Sequence, residues 1–220
     1  MFVAGAGALI LVAALAIPAV AQPVWGGFAE CPGSFVQGSP PRGPVTIDTA
    51  VSRVKEVLAA SGDTDLVPAE VMEFTNHFYV LVKEKSTGIG AMELIVERNG
   101  FVHSEPGPNM MWNTKYGHMA WNGMMGPGMM GPGWGAPGVL PGAAQAAPSI
   151  TKDRARQIAA QYLQSAFPGA KPGDGAAFHG YFTFHTERDG KTFGMLSVNA
   201  YTGQVWYHSW HGTFVREKHL

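Results

Sequence analysis

The chain has 220 residues, enough for one large domain or two small ones, and its formal net charge of −1 gives no electrostatic basis for binding nucleic acid. Charged residues make up only 14% of it, well below the usual quarter. The single cysteine, Cys31, excludes an intrachain disulfide and, with no His or Lys close by in sequence to activate it, reads as a bystander.

Residues 2–21, FVAGAGALILVAALAIPAVA, carry no charge and are long enough to span a bilayer. Their end, Ala19-Val20-Ala21, has the small-x-small form of a signal-peptidase site. Both features predict export: a signal peptide or a retained transmembrane anchor, with the rest of the chain in the periplasm or at the cell surface. Residues 22–44 are rich in Gly, Pro and Ser and read as an extended linker.

Residues 45–103 form a first unit. Thr46 is a helix N-cap, Asp48 favours the dipole in the first turn, and Ala50, Val51, Val54, Val57 and Leu58 make an apolar stripe at helical spacing. Ser61-Gly62-Asp63 ends that helix. Phe74 to Lys83 reads as a strand with Phe78, Val80 and Val82 on one face, Lys85-Ser86-Thr87-Gly88 as a turn, and Ala91 to Glu97 as the partner strand with Met92, Leu94 and Val96 on one face. After Arg98-Asn99-Gly100, a third short strand begins at Phe101-Val102-His103.

The interval 104–149 is a connector rich in Met, Gly and Pro. Seven of the 11 methionines of the chain lie between Met110 and Met130, among Trp112, Trp121 and Trp134. Thioether sulfur suits Cu(I), and imidazole can complete such a site. The ligand set this predicts is Met110, Met111, His118, Met119, Met124, Met125, Met129 and Met130, with His208 and His211 from the C-terminal His208-Ser209-Trp210-His211, and copper as the ion. The alternative is packing: Met and Trp fastening the connector across both units or against a partner.

Residues 150–220 repeat the first plan. Thr151 caps, Asp153 supports the dipole, and Ala155, Ile158, Ala159, Tyr162 and Leu163 make the stripe. Tyr181 to Thr186 and Phe193 to Ala200 are strands joined by Arg188-Asp189-Gly190-Lys191, a hairpin turn. Tyr201-Thr202-Gly203-Gln204 turns again into Val205-Trp206-Tyr207. Trp206 falls where the first copy has His103, and His179 and His185 fall on one strand face. The fold class this predicts is α+β: two small units of a helix and an antiparallel sheet, with an N-terminal apolar helix.

Ile150-Thr151-x-Asp153-x-Ala155 and Val198-Asn199-Ala200-Tyr201-Thr202-Gly203-Gln204-Val205 resemble the PepSY domain, and residues 45–103 resemble it with Asn99-Gly100 in place of the Thr-Gly turn. The resemblance covers about half of the chain. It implies an exported, non-catalytic binding or regulatory module and supplies no catalytic residue.

The motifs that would mark an enzyme are missing as well. His-Glu-x-x-His, Cys-x-x-Cys-His, a phosphate-binding loop and a nucleophile elbow are all absent. The expected function is a non-enzymatic accessory module that engages a protein partner at the outer face of the membrane, itself held there by residues 2–21 if they are uncleaved. The alternatives are a periplasmic copper-binding protein, a peptidase inhibitor and a structural subunit of an envelope complex.

Overall fold

The computed structural model describes residues 44–117 and 147–220, all within one compact unit, Pro32–Leu220. The apolar segment 2–21, nearly all of the 22–44 linker and the later part of the Met-rich connector lie outside the described residues. No helix among the described residues is long and apolar enough to cross a membrane.

The elements are α1 (Ile47–Ser61), β1 (Leu66–Phe74), β2 (His77–Glu84), β3 (Gly90–Glu97), β4 (Val102–Ser104), α2 (Pro108–Met111), α3 (Lys152–Ala166), β5 (Ala170–Phe178), β6 (Tyr181–Arg188), β7 (Lys191–Asn199), β8 (Val205–Tyr207) and β9 (Phe214–His219). The fold is α+β with an antiparallel-dominated sheet. Both long helices start as the sequence requires: Thr46 Oγ1 accepts from Thr49 N at 3.3 Å, and Thr151 Oγ1 from Arg154 N at 3.2 Å. Each then lays its apolar stripe on a sheet. Ala50, Val51, Val54 and Leu58 pack on Phe78, Val80, Val82, Leu94 and Val96; Ala155, Ala159 and Leu163 pack on Phe184, Leu196 and Val198. Each fully buried Val or Leu stabilises the fold by roughly 1.5–3 kcal/mol.

The strand order is β8-β7-β6-β5-β3-β2-β1-β9, with β4 beside β3. It is two sheets joined by a single parallel bridge, Gly90 to Phe178. Gly90 is required there, because a Cβ would stand 2.5 Å from the Phe178 ring. The faces turned away from the helices meet each other: Met72, Phe74, Tyr79 and Leu81 pack against Phe178, Tyr181 and Met195. The layers therefore run helix, sheet, sheet, helix.

Three strands, β1, β5 and β9, were not foreseen. Phe74 ends β1 rather than opening β2, and Ala170–Phe178 is a strand although it contains Pro172, Gly173 and Gly175. Both β1 and β5 carry an irregularity at a proline, between Pro68 and Glu70 and between Pro172 and Gly175. The irregularity breaks the two-residue alternation by which a strand is recognised. The hairpin turn at Asp189-Gly190 has φ of 52° and 72°, the two positive values a tight type I′ connection needs. The C-terminal strand β9 leaves the second sheet and pairs antiparallel with β1.

Candidate metal centre between the two sheets

β4 and β8 occupy the same place in the two halves, and each ladder runs one residue further. Glu105 N donates to Glu93 O at 2.9 Å beyond β4; His208 N donates to Met195 O at 3.0 Å beyond β8. Glu105 and His208 thus hold equivalent positions in the repeat, an acid in one copy and a base in the other, both in the seam between the sheets. His211 follows where the chain crosses to the first sheet. That crossing is fixed by Asn76, whose Nδ2 donates to Trp210 O at 3.0 Å and whose Oδ1 accepts from Gly212 N at 2.8 Å. Phe74 stacks on His211 at 4.3 Å and Trp210 on His208 at 4.6 Å between ring centroids.

Glu105 Oε1 lies 3.3 Å from His208 Nδ1 and 3.0 Å from His211 Nε2. The three side chains are 0%, 0% and 1% exposed. The separations suit ion pairs, yet the angles make no hydrogen bond of either. Four buried side-chain atoms among the described residues lack a hydrogen-bond partner, and three are Glu105 Oε2, His208 Nδ1 and His211 Nε2. A buried polar atom left unpaired costs about 1–3 kcal/mol, so three at one point need an explanation.

The other nitrogen of each ring is engaged. His208 Nε2 lies 2.9 Å from Ser197 Oγ, which lies 2.8 Å from Thr183 Oγ1. His211 Nδ1 lies 2.7 Å from His77 Nε2. Burial and the neighbouring His211 pull His77 down to about 4, so it is neutral near pH 7. One of these two nitrogens donates to the other; with the proton on His211 Nδ1, the His211 Nε2 lone pair faces Glu105. Burial also holds His211 below its ordinary value, against the pull of Glu105. His208 is raised: burial lowers it, but the Glu105 carboxylate outweighs burial. Glu105, although burial raises it, is held far below the carboxylate range by His208 and His211.

Beside this trio, Glu93 accepts from Tyr79 Oη at 2.8 Å and from Tyr181 Oη at 2.7 Å. Burial and the Glu105 charge push it up to about 7. Trp210 Nε1 donates to Glu105 Oε1 at 3.1 Å, and Asn109 from the short helix α2 bonds both the N–H and the C=O of Glu93 at 3.0 Å. The seam thus buries two carboxylates, three imidazoles and two phenols.

A buried carboxylate and two buried imidazole nitrogens that make no hydrogen bond, meeting at a dry point, call for a positive charge among them. A proton on His208 supplies one. A metal ion supplies more: ligand bonds of about 2.1 Å set neighbouring donors roughly 3.0–3.4 Å apart, as the two measured separations are. Each imidazole has a hydrogen-bond partner behind it to orient it, as metal-binding histidines do. The residues fit a centre of two imidazoles and one carboxylate.

Of the expected metal ligands, His208 and His211 are brought together, joined by Glu105. Met110 is half-buried and Met111 is 55% exposed, both on α2. His118, Met119, Met124, Met125, Met129 and Met130 lie outside the described residues. His185 is buried against Glu70, while His179 sits in the β5–β6 turn and pairs with Glu84. Glu105, Glu93 and His77 were missed. Glu105 hid in a Pro/Gly-rich run; setting the two copies side by side would have placed it opposite His208. Compared with protein-family models, curated proteins and solved structures, the chain gave no match.

Proposed function

We propose that the chain is a non-enzymatic, extracytoplasmic metal-binding protein in which two PepSY-like units clamp one divalent first-row transition ion through Glu105, His208 and His211. The observation that carries the reading is the convergence of one buried carboxylate and two buried imidazoles, whose facing ring nitrogens make no hydrogen bond, from both halves of the chain. Two nitrogens and a carboxylate are borderline-to-hard donors. They suit Cu(II) or Zn(II), the divalent ions such donors hold tightly, better than Cu(I). The burial of all three side chains speaks for holding an ion rather than for catalysis, which needs a position open to substrate. The apolar segment 2–21 supports the extracytoplasmic setting.

The test is titration of the chelator-stripped full chain with Co2+, read by its visible absorption, and with Zn2+ in competition. Glu105→Gln and His211→Asn are each expected to remove one bound ion. If neither changes the binding, the reading is wrong.

A second reading, engagement of a protein partner, draws on Met111 and Trp206, 55% and 37% exposed. Trp206 packs edge-on against Trp112, and the glycine before α2, Gly107, lies under Trp206 and Trp210. A partner docking on this patch would touch the elements that carry the centre.

A further inference from the structure

A cavity of about 210 Å3 opens between the same two sheets. Tyr79, Leu81 and Met195 form apolar wall, and Glu70, Asp174, His185 and His219 bring ionisable groups to it. No lysine or arginine is among its lining residues. His185 Nε2 lies 2.9 Å from Glu70 Oε1, and its Nδ1 lies 3.6 Å from Glu217 Oε2. His219 Nδ1 lies 3.6 Å from Glu70 Oε2. One ligand atom each from Glu70, His185 and Glu217 falls within 4.8 Å of the others.

The positions follow from the register. Glu70 on β1 stands opposite His219 on β9, and Met72, two residues on, opposite Glu217. The C-terminal strand therefore sets a carboxylate and an imidazole on the face where Glu70 points. His185, on β6 of the other sheet, reaches across. Exposure rises in steps from His185 (7%) and Glu70 (13%) to Glu217 (33%) and His219 (65%). The inner pair is anchored and the outer pair reachable from solvent. Three carboxylates, counting Asp174, face two imidazoles. A single protonated His185 offsets only part of that charge, and the low-dielectric apolar wall sharpens the remainder.

We infer that Glu70, His185 and Glu217, with His219 at the rim, form a second, solvent-open site for a divalent transition-metal ion. It shares no residue with the centre at Glu105 and does not depend on it. Its mixed nitrogen and oxygen donors suit Co2+, Zn2+ or Cu2+, and its open rim makes it the faster-exchanging of the two.

The chelator-stripped full chain is titrated with Co2+, an ion thioether sulfur holds poorly, beside the chain carrying Glu217→Gln with His219→Ala. These two positions lie on an exposed edge strand, and far-UV circular dichroism checks that the fold is kept. The expected result is loss of one Co2+ per chain, or its weakening by about tenfold or more, with the ion removed by Glu105→Gln still bound. His185→Gln is expected to abolish the same open-site signal. Co2+ binding unchanged in number and affinity by Glu217→Gln with His219→Ala overturns the inference. So does a chain whose only bound Co2+ is the one that Glu105→Gln removes. Loss with Glu217→Gln and His219→Ala but not with Glu105→Gln upholds this site and overturns the buried one.

Discussion

Glu93 and Glu105 stand at opposed positions on neighbouring strands, both fully buried, and two carboxylates so placed resist ionising together. Glu93 is the one that yields. Its native value of about 7 against an ordinary 4.5 means the folded protein keeps a proton that the unfolded chain has released. The folded state then binds more protons, so stability falls as pH rises from about 4.5 to 7 and levels off above. The metal-free chain should therefore be more stable to urea at pH 5 than at pH 7.5, by on the order of 1–3 kcal/mol from this group. Glu93→Gln should remove most of that difference, and an equal slope in both proteins would refute the assignment. Little of this was visible in the sequence. Glu93 interrupts Ala91-Met92-Leu94-Ile95-Val96 as a single charge, and nothing local says that its neighbour in space is Glu105. The spacing of His208 and His211 was readable; their shared carboxylate, over a hundred residues earlier, was not.

At the scale of the element, the two long helices α1 and α3 and the β2–β3 and β6–β7 hairpins were legible because their signals are local: a capping threonine, a stripe at 3.6 spacing, alternation, and Asp-Gly at a turn. β1 and β5 were obscured by their prolines, and β9 because its ladder partner lies some 140 residues earlier. The joint between the sheets is as inconspicuous. It depends on Gly90, whose missing side chain is filled by the Phe178 ring. Gly90→Ala would force that ring aside and open the seam at its one bridge. A loss of about 1–3 kcal/mol is expected from overpacking, with Phe178→Leu restoring part of it. Calorimetry of Gly90→Ala, Phe178→Leu and the double variant tests this, and an unchanged melting temperature in Gly90→Ala would dismiss the packing account.

For the molecule as a whole, the apolar seam between the halves is reinforced by polar ties concentrated at a few residues. Glu84 at the end of β2 accepts from Lys115 at 2.7 Å, Tyr116 at 3.0 Å and His179 at 2.8 Å, joining the first unit to the connector and the second unit. Burial works against its charge, but these bonds and one from Thr87 hold it down to about 2. A metal at Glu105, His208 and His211 adds a further tie that exists only in the folded state. At an ion concentration 100 times the dissociation constant it should stabilise the fold by about 2.7 kcal/mol, which is roughly 5–10 °C in melting temperature. The shift should disappear in Glu105→Gln; its persistence there would assign the stabilisation to another site.

The return of β9 to the edge of β1 has a consequence in time as well as in space. The sheet that begins with Leu66 lacks its outer strand until Phe214–His219 has been made. His208 and His211, on the way to that strand, close the seam at the same moment. The earliest-made half of the fold is therefore among the last parts to be completed. In a chain built in this order, the outer edge of β1 has no partner until the last strand is made.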